Sequence, residues 1–594
     1  MKYKIFNTVN KVLLAGTLLT AAACTDLEEK VLDENLGSSE INPISALTSA
    51  YSRLGQNLFV STGGLFALQE LSSDVAILPT RGSDWGDAGK WRAIAEFTWA
   101  PDSDLVQGNF NDLTNGVTRS YTAIEAITLN GEGASKEFYL AEAKGLLYFY
   151  VAQLLDLYGQ APYKDLDNLD GPVRVLTAES DIDFVISEVE ELIGQLPDLG
   201  ENQTHIGRFT KQAAYGLLAE LYMNRAVYKD RYNASSTFDF NAASVDGTST
   251  NMDKVIYYTS LLINEGRFQL EENYFHNFAI DNNTSREMIF AVVQHVSDIK
   301  GSSNDLAYNT MERNQRVTAK NRGTNASCIR PEFFYSWNGN QDDPRFQRSY
   351  QYEDGTWFMN DGTDVSVPAT SIAPGTSEPW FHFNRGIQFG PQYGPVLSSS
   401  GSFEMTGDGR IKVSPLVMEK STTTLMDFTP DLNFDNPSES VFKQDQINRG
   451  ARCFKFEFDA TNGDNGSSEV DIPIYRLGGM YMLRAEAYFR KGDTGMALND
   501  INTVRTTRTH DALKGSVPGK AIASVDAEVL YKELGYEMYW EIKRRPQMVR
   551  FGKFDLPLSQ SAKPESQPYR RVFPIPQTIM DIDATFDQNT GYFN

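Results

Sequence analysis

IYRLGGMYMLRAEAYFRKGDTGMALNDINTVRTTR, residues Ile474–Arg508, is the stretch whose reading decides the fold. Met480, Leu483 and Ala487 fall on one face of a helix, and Gly492-Asp493 supplies a turn whose aspartate can cap a second helix. In that second helix Ala497, Ile501 and Val504 form the apolar stripe. Two helices joined by a tight turn make a pair of roughly the size of a tetratricopeptide unit. Such a pair cannot cover its own apolar faces, so it requires stacked neighbours.

Upstream, the sequence offers those neighbours. Ile44–Leu54, Asn109–Leu129, Phe138–Tyr158, Asp181–Gly194, Thr210–Tyr228 and Met252–Glu265 each carry apolar residues at helical spacing. In Phe138–Tyr158 the stripe is Leu147, Tyr150, Val151, Leu154 and Tyr158, and Gly159 with Pro162 stops the helix. No strict 34-residue repeat runs through the set. Downstream, a further helix is expected over Ala527–Arg545, ending in Lys543-Arg544-Arg545. With Glu537 and Glu541 close upstream, that basic cluster reads as an ion-paired structural face rather than a polyanion site.

Between these helical blocks the texture changes. Ser297–Asn448 is dense in Gly, Ser, Asn, Asp and aromatic residues with few periodic runs. A structureless loop of that length is improbable in a compact chain, so an irregular subdomain of short strands is expected, of the sort that carries binding function. Arg452–Phe458 alternates as a strand does. The oxygen-rich run Ala460–Ser468 is of the kind that can hold a structural calcium ion, although its spacing does not match an EF-hand. No other cofactor is suggested.

The second informative stretch is LPTRGSDWGDAGKWRAIAEFTW, Leu78–Trp99, which holds three of the chain's seven tryptophans. Gly82–Gly89 favours turns over regular structure. Trp85 therefore reads as an indole held at the surface, flanked by Arg81, Asp84 and Asp87. An apolar plate beside charged hydrogen-bonding groups suits the C–H face and the hydroxyls of a sugar ring. The competing reading makes all three tryptophans core residues, and Trp99 leans that way.

Composition excludes other classes. The formal charge of −24 argues against nucleic acid and anionic lipid surfaces, and no stretch after residue 24 is long and apolar enough to span a membrane. Lys2, Lys4 and Lys11 precede the apolar run Val12–Ala23, the pattern of a cleaved leader. Cys24 after three alanines resembles a bacterial lipobox, in which the thiol is acylated; Ala21 stands where leucine is usual, so ordinary signal peptidase cleavage stays open. Cys328 and Cys453 have no CxxC spacing, and the five histidines are scattered, so no metal site is expected; a Cys328–Cys453 bridge stays open.

The block Ile474–Arg508, then LYKELGYEMYWEIKRRPQMVRFGKF (Leu530–Phe554) and VFPIPQTIMDIDATFDQNTGY (Val572–Tyr592), resembles the C-terminal half of the SusD/RagB family. EAKGLLYFYVAQLLDLYGQAPY (Glu142–Tyr163) and TKQAAYGLLAELYMNRAVY (Thr210–Tyr228) are similar to its N-terminal helices. The resemblance implies a mainly α SusD-like fold, with four tetratricopeptide-like helix pairs supporting an irregular ligand-binding region with short strands. It divides the chain into a leader at 1–23, a lipidated tether at 24–40, a helical region at 41–296, the irregular region at 297–448 and a second helical region at 449–594.

It further implies a lipoprotein of the Bacteroidota outer membrane, facing the exterior, that binds oligosaccharide without cleaving it and passes it to a SusC-like TonB-dependent transporter. Ser73-Asp74, Trp85 and Trp99-Ala100-Pro101 match the layout around a sugar-stacking tryptophan of the family's starch-binding member. Trp85 is accordingly the candidate platform, Arg81 and Asp84 its polar partners, and Trp91 a further aromatic. Ala326, beside Asn325, stands where that member has a second stacking tryptophan, so the opposite wall must differ. Asn325 is a further candidate for glycan contact, and Trp380, Arg385 and Tyr393 are the candidates to build that wall. Two other readings are weighed. A surface binder of peptides or glycopeptides fits the same scaffold; a glycoside hydrolase needs a spaced carboxylate pair that no motif here supplies.

Overall fold

Capping and periodicity set the helices where the sequence places them. In the computed structural model, residues 41–592 are described except 82–83, 134, 201–203, 295–303, 433–446, 460–467, 511–512, 514–516 and 562. Asn42 accepts the N–H groups of Ile44 and Ser45 at 3.0 Å and starts α1, Pro43–Arg53. The long helices α2, Asp104–Asn130, and α3, Lys136–Tyr158, follow, α3 ending on Gly159 at a φ of 70°. Thr177 caps α4, Ala178–Leu192; Thr210 caps α5, Lys211–Asp230; a Thr250/Asp253 capping box opens α6, Asn251–Asn264. The deciding stretch forms α7, Leu477–Arg490, and α8, Thr494–Thr507, with Asp493 accepting from Met496 N–H at 3.0 Å.

Each of these eight helices packs against the next, and α7 lies on α6 although residues 265–476 separate them. The stack is therefore continuous in space and interrupted in sequence, which is why no regular repeat can be read along the chain. α3 is buried on every side from Gly145 to Ala152, not along the single stripe expected. One expected helix divides. Ala527–Arg545 becomes α9, Ala527–Met538, and α10, Arg544–Arg550, because Trp540 and Ile542 sit at φ 64° and 63°, where a helix cannot continue. The C-terminal segment returns to α3, with Phe573 N–H on the Leu157 carbonyl at 2.7 Å and the Trp99 indole donating to the Tyr592 hydroxyl at 2.8 Å. Trp99 is thus core.

The excursion out of the stack begins and ends in one antiparallel ribbon. Strand β1, Met288–Val292, pairs with Ile472–Arg476, the strand that leads into α7. Between them lie short strands, including the three-stranded sheet of β2 (Gln347–Arg348), β3 (Arg385–Gln388) and β4 (Arg452–Phe454), with β3 in the middle. Strand β4 covers only the first half of the alternating run expected over Arg452–Phe458. We label Ile472–Arg476 β5. Cys328 and Cys453 are buried free thiols with no bridge between them. The calcium-like run lies almost wholly outside the described residues.

A buried ionic cluster ties the excursion to the stack. Arg345, Lys455, Arg476, Arg505 and Arg508 interleave with Glu287, Asp343, Glu533, Glu537 and Glu541, and none is more than 4% exposed. Glu537 is the hub: Arg476 reaches it at 2.6 Å, Arg508 at 2.7 Å and Arg345 at 3.4 Å. Arg476 also pairs with Glu541 at 2.7 Å and with Glu287 at 3.2 Å. Burial alone would raise the Glu537 pKa, but Arg508, Arg476 and Arg345 outweigh it and hold the carboxyl at about 2. Gly478 leaves room for this cluster, since a Cβ there would collide with the Arg476 guanidinium and the Glu537 carboxylate. Lys543, Arg544 and Arg545 are ion-paired as expected, but to Glu220, Asp74 and Asp156, not to Glu537 or Glu541.

Removing one charge from such a cluster strands its partners, so Glu537→Gln should cost about 3–5 kcal/mol in a denaturant titration. The exposed pair Lys520–Asp342 is the control: Asp342→Asn should move stability by less than about 1 kcal/mol, and equal effects would refute the hub. Gly478→Ala should destabilise by about 1–3 kcal/mol through overpacking. Because Glu537 titrates lower folded than unfolded, its stabilisation is complete above about pH 4.5 and fades as pH falls toward about 2. Glu537→Gln should flatten that acid limb of the melting curve.

Candidate functional site

Three segments converge on the tryptophan loop. Arg81 and Asp84 exchange backbone hydrogen bonds at 2.9 Å, and beyond them Trp85, Asp87 and Ala88 all adopt positive φ (60°, 37° and 53°) before Gly89. A tryptophan in the left-handed region is strained by about 1 kcal/mol or more, and such strain persists only where surrounding contacts impose it. The Arg81 guanidinium is one such contact: it is 4% exposed and donates to the carbonyls of Ala326, Ile447 and Arg449 at 3.2, 3.2 and 2.8 Å. The Trp85 indole N–H is another, donating to the Thr324 carbonyl at 3.1 Å. Asp84 is held by Arg313 at 2.7 Å and by Lys420 at 3.5 Å, and Arg313 reaches Glu419 at 3.5 Å.

This arrangement leaves Trp85 half-buried, in edge contact with Trp91 at 6.2 Å between ring centroids. Trp91 itself is buried, at the start of the short helix Lys90–Ala95, with its indole N–H on the Asp87 carboxylate at 2.6 Å. Asn325, at φ 56° and buried, spends its side-chain oxygen on Arg452 at 2.7 and 3.1 Å. Arg452 shares the Ile447 and Arg449 carbonyls with Arg81, so two buried guanidiniums fasten the loop from beneath.

Elsewhere in the excursion an open cleft of about 370 Å³ is lined by Tyr350, Trp357, Trp380, His382, Arg385 and Glu457, among others. Tyr350 and His382 stack at 3.9 Å and 9°, and Trp380 continues the pile at 4.6 Å and 30°. Burial, with the Arg385 charge behind it, pushes His382 down to about 3, so the imidazole is neutral at ordinary pH. Arg385 pairs with Glu457 at 3.5 Å and donates to the carbonyls of Phe278 and Phe454 at 3.1 and 3.2 Å.

The SusD family model matches residues 286–592, just over half of the 594-residue chain. The chain belongs to the SusD family. Among curated relatives, the starch-binding protein SusD of Bacteroides thetaiotaomicron is 24% identical over 530 residues, spanning 84% of this chain and 81% of that protein. A SusD-like protein of Bacteroides ovatus is 24% identical over 306 residues, covering 49% of this chain and 50% of its own. Of the solved structures, a laminarin-binding SusD-like protein superposes with a TM-score of 0.60 at 16% identity, covering 93% of this chain and 99% of its own. Surface glycan-binding protein A of Bacteroides thetaiotaomicron, in complex with laminarihexaose, gives 0.57 at 16% identity and covers 92% and 98%.

In this SusD-family chain, then, the sequence candidates fall into two groups and a remainder. Arg81, Asp84, Trp85, Trp91 and Asn325 meet at the tryptophan loop, with Arg81, Trp91 and Asn325 buried and Asp84 and Trp85 accessible. Trp380 and Arg385 sit together in the cleft. Tyr393 belongs to neither; it lies on the strand Tyr393–Pro395, its ring over Gly362. Cys24 lies outside the described residues. Sequence reasoning passed over Arg313, Lys420, Tyr350 and Trp357. The alternating aromatics of RSYQYEDGTWF, 348–358, are the signal for the last two; nothing local marks Arg313 or Lys420, whose partner Asp84 is far away in sequence.

Since Arg81 fastens the loop from inside, Arg81→Ala should leave the Ala326 carbonyl without its donor, leave those of Ile447 and Arg449 to Arg452 alone, and loosen the tryptophan loop. Amide exchange in that loop should accelerate and stability fall by about 1–3 kcal/mol. Exchange unchanged from wild type would show that other contacts hold the loop.

Proposed function

We propose that this chain is a glycan-binding lipoprotein that captures oligosaccharides at the cell surface and passes them to a SusC-like TonB-dependent transporter. One observation carries the reading. Trp85 is a partly exposed indole held in a strained backbone conformation, and its neighbour Asp84 is ion-paired to Arg313 and Lys420, so an apolar plate adjoins a cluster of charged hydrogen-bonding groups. Strain of this kind fixes the plate in place before a ligand arrives, which lowers the ordering cost of binding. Membership of the SusD family and relatives named for starch, laminarin and glycan binding support the same reading. The proposed role is capture without cleavage.

In this reading the chain is held at the surface through an acylated Cys24. Among the described residues no helix is long and apolar enough to cross a membrane. Peptide capture by the same scaffold is the second reading, resting on the stacked helices rather than on Trp85.

Affinity electrophoresis against a panel of neutral polysaccharides distinguishes them. Retardation by at least one glycan, with no reducing sugar released, is expected, and Trp85→Ala should weaken it about three- to tenfold while the fold persists. Unchanged retardation in the variant removes Trp85 from the site; loss of folding makes Trp85 a core residue.

A further inference from the structure

Of the chain's seven tryptophans, Trp91, Trp99, Trp337 and Trp540 are buried and only Trp85, Trp357 and Trp380 are partly exposed. Two of those three line the same 370 Å³ cleft, and Trp85 does not. Aromatic side chains cluster at a solvent-open cleft only where burying them in the core has been forgone, and the accessible ends of the Tyr350–His382–Trp380 stack are such a case. A neutral imidazole in the middle of the pile lets the three rings act as one apolar wall.

The polar lining suits hydroxyl groups rather than a charged ligand. The lining sets two guanidiniums, Arg348 and Arg385, against two carboxylates, Asp281 and Glu457; Arg385 and Glu457 pair at 3.5 Å, and His276 is taken up by Glu271 at 3.0 Å. The volume falls within the range of small-ligand pockets, at its lower end, and matches one or two sugar rings rather than an extended chain. The cleft is also separate from the tryptophan loop. Its lining takes only Val317 from the segment whose other end, Thr324–Ala326, holds Trp85 and Arg81.

We propose that this cleft is a second carbohydrate site, which takes a short neutral unit of one or two sugar residues against the Tyr350–His382–Trp380 wall. Trp380 and Arg385 therefore do not form the missing wall opposite Trp85; they belong to another site. A long glycan engaging both would gain from the high effective concentration of its second contact, so affinity would rise with chain length beyond what either site gives alone. The proposal rests on the glycan-binding reading above.

The test is calorimetry with a neutral oligosaccharide series graded in length, drawn from a polysaccharide that the wild-type protein retains. Trp380→Ala should weaken binding of the mono- and disaccharide at the cleft about three- to tenfold, whereas Trp85→Ala leaves the cleft's share of that binding in place. Each variant should lower affinity for the long members, and the double variant should lower it more than either. Trp357→Ala repeats the measurement at the same cleft if Trp380→Ala does not fold. If the wild type retains no glycan at all, the glycan-binding reading itself fails. If it retains glycans and neither cleft variant changes short- or long-chain affinity, the second site alone is overturned, as it is if an oligouronate binds the cleft in preference to the neutral series.

Discussion

Ten charged side chains sealed away from water, five of each sign, are the constraint on which the rest of this structure depends. Taking even one of them out of water unpaired is prohibitive, and a pair with imperfect geometry barely breaks even. What makes the cluster tolerable is that every member but Lys455 answers more than one other: Glu537 is shared by three guanidiniums, and Arg476 by three carboxylates. The members come from everywhere the chain must be brought together. Glu287 stands at the entrance to β1, Asp343, Arg345 and Lys455 within the excursion, Arg476 at the end of β5, and the remainder on or beside α8 and α9. Satisfying the charges and closing the fold are the same event, which is a demand on uniqueness more than on stability.

The strained backbone at Trp540 and Ile542 makes sense in that light. A regular helix through residue 545 would turn Glu541 and Lys543 by a fixed hundred degrees per residue. The irregular path instead places Glu541 against Lys455 and Arg476, and Lys543 against Glu220. Local cost is accepted where the surrounding cluster over-determines the conformation.

Much of this was legible in the sequence and some of it could not be. Caps and spacing fix α1 to α8 to within a few residues, because those signals are local. The pairing of Lys543-Arg544-Arg545 as an ionic face was legible from charge pattern, yet its partners were not, since Glu220, Asp74 and Asp156 come from distant helices and loops. The same limit applies to the site. Trp85 stands out because glycine and aspartate forbid regular structure around it, whereas the inward turn of Arg81 depends on carbonyls at residues 326, 447 and 449. Of the aromatic wall, Trp380 and His382 are visible as a run, but Tyr350 joins them only through the pairing of β2 with β3.

The placement of α7 on α6 has a consequence in time. Helices α1 to α6 can assemble as the chain emerges, each on the one before, through contacts that are close in sequence. The stack cannot be finished until residues 265–476 have folded back and β5 has found β1. In equilibrium terms so long a loop is inexpensive, because closure entropy grows only logarithmically with length, by about 0.6 kcal/mol per doubling. In kinetic terms it is the late step, during which the apolar face of α6 waits uncovered. The cleft and the carbonyls that fasten the tryptophan loop are therefore supplied by the part of the chain that completes last, and substitutions in the excursion can reshape them only as far as they still let the ribbon close.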